Sequence, residues 1–235
     1  MPLPNIVTPE FQTLLPSTGE EIFFRPFLVK EEKMLLMAQE GKDKKEINNA
    51  VIKIINACMK TPLEIRNLPT FDIEWLFLQL RAKSVSEVIK LNLRHTVEGC
   101  DHLNKVEIPI QDIQVQNNPE HKNILMIDEE SGLGMSLNYP TLGLADTLTD
   151  KVSNEQIFNL ISKCVKNVFD KNQVYNDFTQ EELDNFIGDL PQDFLVKFMK
   201  FFTTMPKIEH TLEYTCEKCK KKVTHKINGL MDFFL

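Results

Sequence analysis

Leu68-Pro-Thr-Phe-Asp-Ile-Glu-Trp-Leu-Phe77 and Leu190-Pro-Gln-Asp-Phe-Leu-Val-Lys-Phe-Met199 read as two versions of one phrase. In each, a Leu-Pro pair opens an apolar segment, with Phe71, Ile73, Leu76 and Phe77 in the first and Phe194, Leu195, Phe198 and Met199 in the second. Each segment runs on into alternating strand-like sequence. Ile89, Leu91 and Leu93 lead to His95 and Cys100, and Ile208, Leu212 and Tyr214 lead to Cys216 and Cys219. An offset of about 121 or 122 residues superposes the two, the signature of an internal repeat. The expected fold is therefore α+β, an internally duplicated helix-plus-β-hairpin unit, a building block more typical of binding and assembly proteins than of an active site.

Working outward, residues 11–27 predict an N-terminal β-hairpin, with Gly19 supplying the positive φ of the turn Pro16-Ser-Thr-Gly19. A helix over 29–39 places Glu31 and Glu32 at its positive end and Leu35, Leu36 and Met37 on its apolar side. Helices follow over 44–59 and 70–83, the latter with Thr70 as N-cap and with Asp72 and Glu74 serving the first turn. Strands are expected over 85–93 and 106–110. Residues 111–150 lose periodicity and read as a connecting segment with one short strand near 135–138, although so long a loop is unusual in a compact domain. Beyond it come a helix over 154–168 and a second opened by a Thr179/Glu182 capping box and ending near Gly188. A third starts at Pro191, and strands follow over 208–215 and 222–227. An apolar tail, 229–235, is suited to docking. The expected organisation is 1–110, a connection over 111–150, and 151–235, packed as one globular unit.

The 235 residues, 42% hydrophobic and 26% charged, describe an ordinary globular protein. A net charge of -7 argues against generalised attraction to nucleic-acid backbone. Lys218, Lys220, Lys221 and Lys222 form a local basic run, more simply a solvated turn. No stretch has the length of a signal peptide or a membrane span, so an intracellular protein is expected.

Five cysteines, two of them spaced Cys-x-x-Cys, point to metal or redox chemistry before structural disulfides. Cys216 and Cys219 at a hairpin turn would deliver two ligands to a tetrahedral zinc. They are half a site. In the repeat alignment His95 falls opposite Cys216 and Cys100 lies near Cys219, so the first hairpin could complete it, with His102, His210 and His225 as local alternatives. The competing readings are a pair of reduced thiols and, less naturally, a thioredoxin-like pair, which normally opens a helix. Cys58 and Cys164 fall on apolar helix faces as small core residues. No phosphate loop, His-Glu-x-x-His or Gly-x-Ser-x-Gly appears, and no enzyme is indicated.

Several longer strings carry a resemblance. They are Leu15-Pro-Ser-Thr-Gly-Glu20, Phe24-Arg-Pro-Phe-Leu-Val-Lys-Glu-Glu-Lys-Met-Leu-Leu-Met-Ala38, Leu68 to Phe77, Arg81-Ala-Lys-Ser84, and Met205-Pro-Lys-Ile-Glu-His210 through Cys216 and Cys219 to Asp232. Together the chain resembles the baseplate hub and hub-assembly proteins of T-even-type contractile-tailed bacteriophages. The resemblance implies a hub subunit, or a chaperone that helps the hub form around the tape-measure protein. It implies protein partners, supplies no catalytic residues, and leaves the first hairpin with a single cysteine, Cys100. Phe23, Phe27, Phe201, Phe202, Phe233 and Phe234 supply aromatic anchors of the kind interfaces use, most of them expected in the core. A zinc-ribbon adaptor contacting nucleic acid or a polymerase is the alternative.

Overall fold

The computed structural model describes residues 7–41, 43–145 and 154–229. The apolar tail from residue 230, Phe233 and Phe234 included, lies outside them. The chain is α+β, with small antiparallel sheets, and divides into two compact units, 1–116 with 207–235 and 117–206.

The first unit opens with β1 (Phe11–Leu14) and β2 (Glu21–Phe24), paired antiparallel with Phe11 opposite Phe24. The turn is closed by the Gly19 amide donating to the Leu15 carbonyl at 2.7 Å, with Gly19 at φ +74° as expected. Three helices follow, α1 (Val29–Gly41), α2 (Lys44–Cys58) and α3 (Thr70–Ser84). The side chain of Asp43 caps α2 by accepting from the Lys45 amide at 2.8 Å. On α1 only Leu35 of the expected apolar trio is buried, and Leu36 and Met37 face solvent. Pro69, rather than Thr70, occupies the N-cap of α3. Phe71, Ile73, Leu76, Phe77, Leu78 and Leu80 are buried around its whole circumference, which makes α3 the central helix of the unit.

Then β3 (Val88–Val97) and β4 (Cys100–Pro109) form a ten-residue hairpin across Gly99, followed by β5 (Val115–Gln116). The connecting segment is not a loop. It carries β5 and, in the second unit, the hairpin β6 (Ile124–Asp128) and β7 (Leu133–Leu137), then the short helix α4 (Leu142–Ala145). Next come α5 (Asn154–Cys164), β8 (Val165–Phe169) and β9 (Val174–Tyr175), giving a sheet in the order β6-β7-β8-β9. The helix expected to reach residue 168 thus stops at Cys164. Met135 of β7 pairs with Val168, and that pairing overrides the helical period. Helix α6 (Gln180–Gly188) carries the expected capping box, and α7 (Asp193–Thr204) buries Phe194, Phe198 and Phe201 in a core with Leu125, Met135, Ile161 and Leu183.

The chain re-enters the first unit as β10 (Lys207–Thr215) and β11 (Lys222–Asn228), ordered β11-β10-β5. The order helix then hairpin thus occurs twice, as α3 with β3–β4 and as α7 with β10–β11. Both hairpins share one core: Leu78 of α3 packs with Ile89, Leu91 and Ile108 of the first, Ile110 just beyond it, and Ile208 and Ile227 of the second.

Candidate metal centre

One face of the β3–β4 hairpin changes character along its length. Side chains two apart share a face, so β4 presents Ile108, Val106, Asn104, His102 and Cys100 in turn, with Ile89, Leu91, Leu93 and His95 opposite on β3. The base is apolar core and the tip is polar, with His95 directly across from His102. The second hairpin repeats the change, from Ile208 and Leu212 at its base to Cys216 at its tip. Beyond Cys216 the chain turns tightly: the Lys220 amide donates to the Cys216 carbonyl and the Cys216 amide to the Lys221 carbonyl, both at 2.9 Å. The turn requires a left-handed residue, and Lys220 takes that role at φ 58°. Sequence reasoning missed this strain, because nothing marks Lys220 as a position that suits glycine.

At the tips, donor atoms of His95, Cys100, Cys216 and Cys219 all lie within 4.8 Å of one another. Cys100 Sγ stands 3.8 Å from Cys216 Sγ, and Cys219 Sγ stands 3.6 Å from His95 Nδ1. All five cysteines are free thiols, and a sulfur separation of 3.8 Å is far beyond the roughly 2.05 Å of a disulfide. Cys100 and Cys216 are buried. Asn104, itself buried, locks the two tips together: its Oδ1 accepts from the Glu217 amide at 2.9 Å, while its Nδ2 donates to the carbonyls of Leu93 and His102. Its inward register on β4 was the signal available in the sequence. Arg94 and Asp101 brace the first tip through a bidentate ion pair of 2.7 and 2.9 Å.

The Cys219 backbone N–H, aimed at the Cys216 sulfur and aided by the His95 side chain, the Lys218 N–H and the Cys219 side chain, brings the Cys216 thiol down to about 5 against the opposing effect of burial. Burial, together with hydrogen bonds to Cys219 and Cys216, pushes Cys100 up to about 11. The cluster therefore concentrates negative charge on the knuckle sulfur, and the donor set could hold a metal ion such as zinc.

Of the strings that resemble phage baseplate proteins, the one from Met205 through Cys219 runs through β10 and the Cys216 turn of this face. The family model described as T4 bacteriophage base plate protein matches residues 8–235. The chain belongs to that family. Neither a curated protein nor a solved structure matches it.

The other expected candidates in this baseplate-family chain lie elsewhere. The His102 ring stands 3.5 Å from the Glu217 carboxylate, and His225 is exposed on β11. Lys218, Lys220, Lys221 and Lys222 are exposed around the turn. Cys58 and Cys164 are core residues, and burial pushes their thiols up to about 11 and about 12 respectively. His121, an isolated residue in the sequence, stacks on Tyr139 and lies tilted against Phe201 in the second unit, and burial lowers its pKa against a hydrogen bond to the Asn123 side chain that raises it. Among the described residues, no helix is long and apolar enough to cross a membrane.

Proposed function

We propose that this chain is a baseplate hub component or a hub-assembly chaperone, acting without catalysis through contacts with other hub proteins and the tape-measure protein. The family match over residues 8–235 carries the reading. Exposed apolar side chains at Val29, Leu36 and Met37, on one side of α1, support a contact role. The working location is the host cytoplasm during assembly and, for a retained subunit, the tail baseplate. Deleting the gene is expected to abolish normal tails, and normal tails in the deletion would end the proposal. Mass spectrometry of purified virions beside a pull-down from infected cells separates the two roles. A hub subunit appears in both, and a chaperone only in the pull-down.

The exposed lysines around Cys219 motivate the second reading, an adaptor contacting nucleic acid. Asp101 and Glu217 stand among them, with the Lys218 Nζ 3.5 Å from the Asp101 carbonyl, so the patch is mixed in sign. An oligonucleotide retained at low salt and released as salt rises would favour this adaptor.

A further inference from the structure

We propose that His95, Cys100, Cys216 and Cys219 hold one structural Zn2+ ion, a Cys3His clasp that ties the tip of the β3–β4 hairpin to the tip of the β10–β11 hairpin. Donors on a tetrahedral zinc, with Zn–S about 2.3 Å and Zn–N about 2.0 Å, stand about 3.8 Å apart for two sulfurs and about 3.5 Å for sulfur and nitrogen. The corresponding separations here are 3.8 Å and 3.6 Å. The two close pairs each bridge the hairpins, joining residues 116 and 124 positions apart in the chain. Nothing local in the sequence would bring four soft donors to one point, and thiolate-rich tetrahedral sets select zinc over the oxygen-seeking magnesium and calcium.

The clasp sits where apolar packing ends. The shared core of the hairpins stops near Leu93 and Leu212, leaving the outer third of each hairpin to polar contacts. Asn104 already holds the Glu217 amide in place, and the Cys219 and Lys218 amides point at the Cys216 sulfur, as outer-sphere donors should. Binding holds the three sulfurs as thiolates and passes their protons to solvent. Three thiolates, a neutral imidazole and Zn2+ leave one negative charge among the exposed lysines of the turn. With four protein donors no coordination position is left for water or substrate, so the ion is structural and not catalytic. The proposal concerns the two hairpin tips and stands apart from the role in tail assembly.

The test is metal analysis of the full-length protein after equilibration with equimolar Zn2+ and desalting, together with Co2+ substitution. The expected result is about one zinc per chain in the wild type, and with Co2+ the visible bands of a tetrahedral site with thiolate charge transfer. Cys100→Ser on the first hairpin and Cys219→Ser on the second should each lower retention about tenfold or more. His95→Cys preserves four soft donors and should retain the ion, as should Cys58→Ser, which lies outside the cluster. Asn104→Ala should weaken zinc affinity about tenfold with the stoichiometry unchanged. Hydrogen exchange gives a second measurement free of folding failure in the variants: a chelator added to the wild type should speed exchange around residues 95–103 and 215–222 while the hairpin bases stay protected. A folded wild type that retains no zinc, full retention in Cys100→Ser, or exchange at the tips that ignores the chelator would each overturn the clasp.

Discussion

Glu31 and Asp72 are both buried carboxylates, and their surroundings send them in opposite directions. Burial pushes Glu31 up, but the Arg25 side chain at 2.9 Å, the Leu28 amide at 2.9 Å and Lys30 outweigh it and hold its pKa below the ordinary 4.5. Among the described residues no such cation stands beside Asp72. Burial raises it above 3.8, opposed only by hydrogen bonds from the Ser17 amide and hydroxyl. Glu31 therefore contributes stability that is present above pH 4.5 and is lost as pH falls through its lowered folded value. Asp72 contributes stability that is present below pH 3.8 and is lost as pH rises through its raised folded value. In urea unfolding across a pH series, the margin of wild type over Glu31→Gln should grow as pH rises toward 4.5. The margin over Asp72→Asn should shrink as pH climbs from 3.8 to the raised Asp72 value and stay level above it. Glu31→Ala, which strands Arg25 in a largely buried site, should lose about 3 kcal/mol at neutral pH. Neither environment was legible in sequence, where both residues read as ordinary charges at helix starts. At Lys220 the backbone is left-handed, and Lys220→Gly should raise stability by about 1 kcal/mol in thermal unfolding.

Elements were legible where local signals agreed with tertiary demands. The Thr179 cap, the Gly19 turn and the paired strands near Cys216 all formed as the sequence indicated, because each is satisfied by residues close in the chain. The Thr179 amide donates to the Glu182 carboxylate at 2.7 Å while the Glu182 amide donates to the Thr179 hydroxyl at 3.2 Å. Thr179→Ala should cost about 1 kcal/mol, read as a lower midpoint in denaturant unfolding. Of the β6–β9 sheet only β7, expected near 135–138, was indicated, and its partners were missed for the opposite reason. Its strands are short, and Val165 to Phe169 continues a helical period until β7 claims it. Gly134 records how close that pairing is: a Cβ there would meet the Phe169 ring at 2.6 Å and the Leu125 carbonyl at 3.1 Å. Gly134→Ala should destabilise the sheet by about 1–3 kcal/mol through overpacking, with faster hydrogen exchange across β7 and β8 as the check.

The whole molecule is a unit interrupted by another. The chain leaves the first unit at Gln116 and returns at Lys207, and these two residues are direct partners in the β5–β10 pairing. Residues 117–206 have a core of their own around Phe194, Phe198 and Phe201. Joining 116 to 207 through a short Gly-containing turn should therefore leave a chain that folds cooperatively with both hairpins present, and circular dichroism with thermal unfolding measures the outcome. The sequence by itself determined the α+β class, most helices, both cysteine-bearing hairpins and the family, because propensity, capping and periodicity are local and the quoted strings are long. Only the tertiary structure decided which core each element joins. It sends α7 to the second unit while the hairpin that follows it packs on α3, and it carries Cys100 and His95 to the Cys216-Cys219 turn. Burial of apolar faces is non-directional, so the same amphipathic stripe fits several partners. The choice among them rests on strand register, the Asn104 hydrogen bonds and the packing of two hairpins on one helix, none of which is written within a single segment of chain.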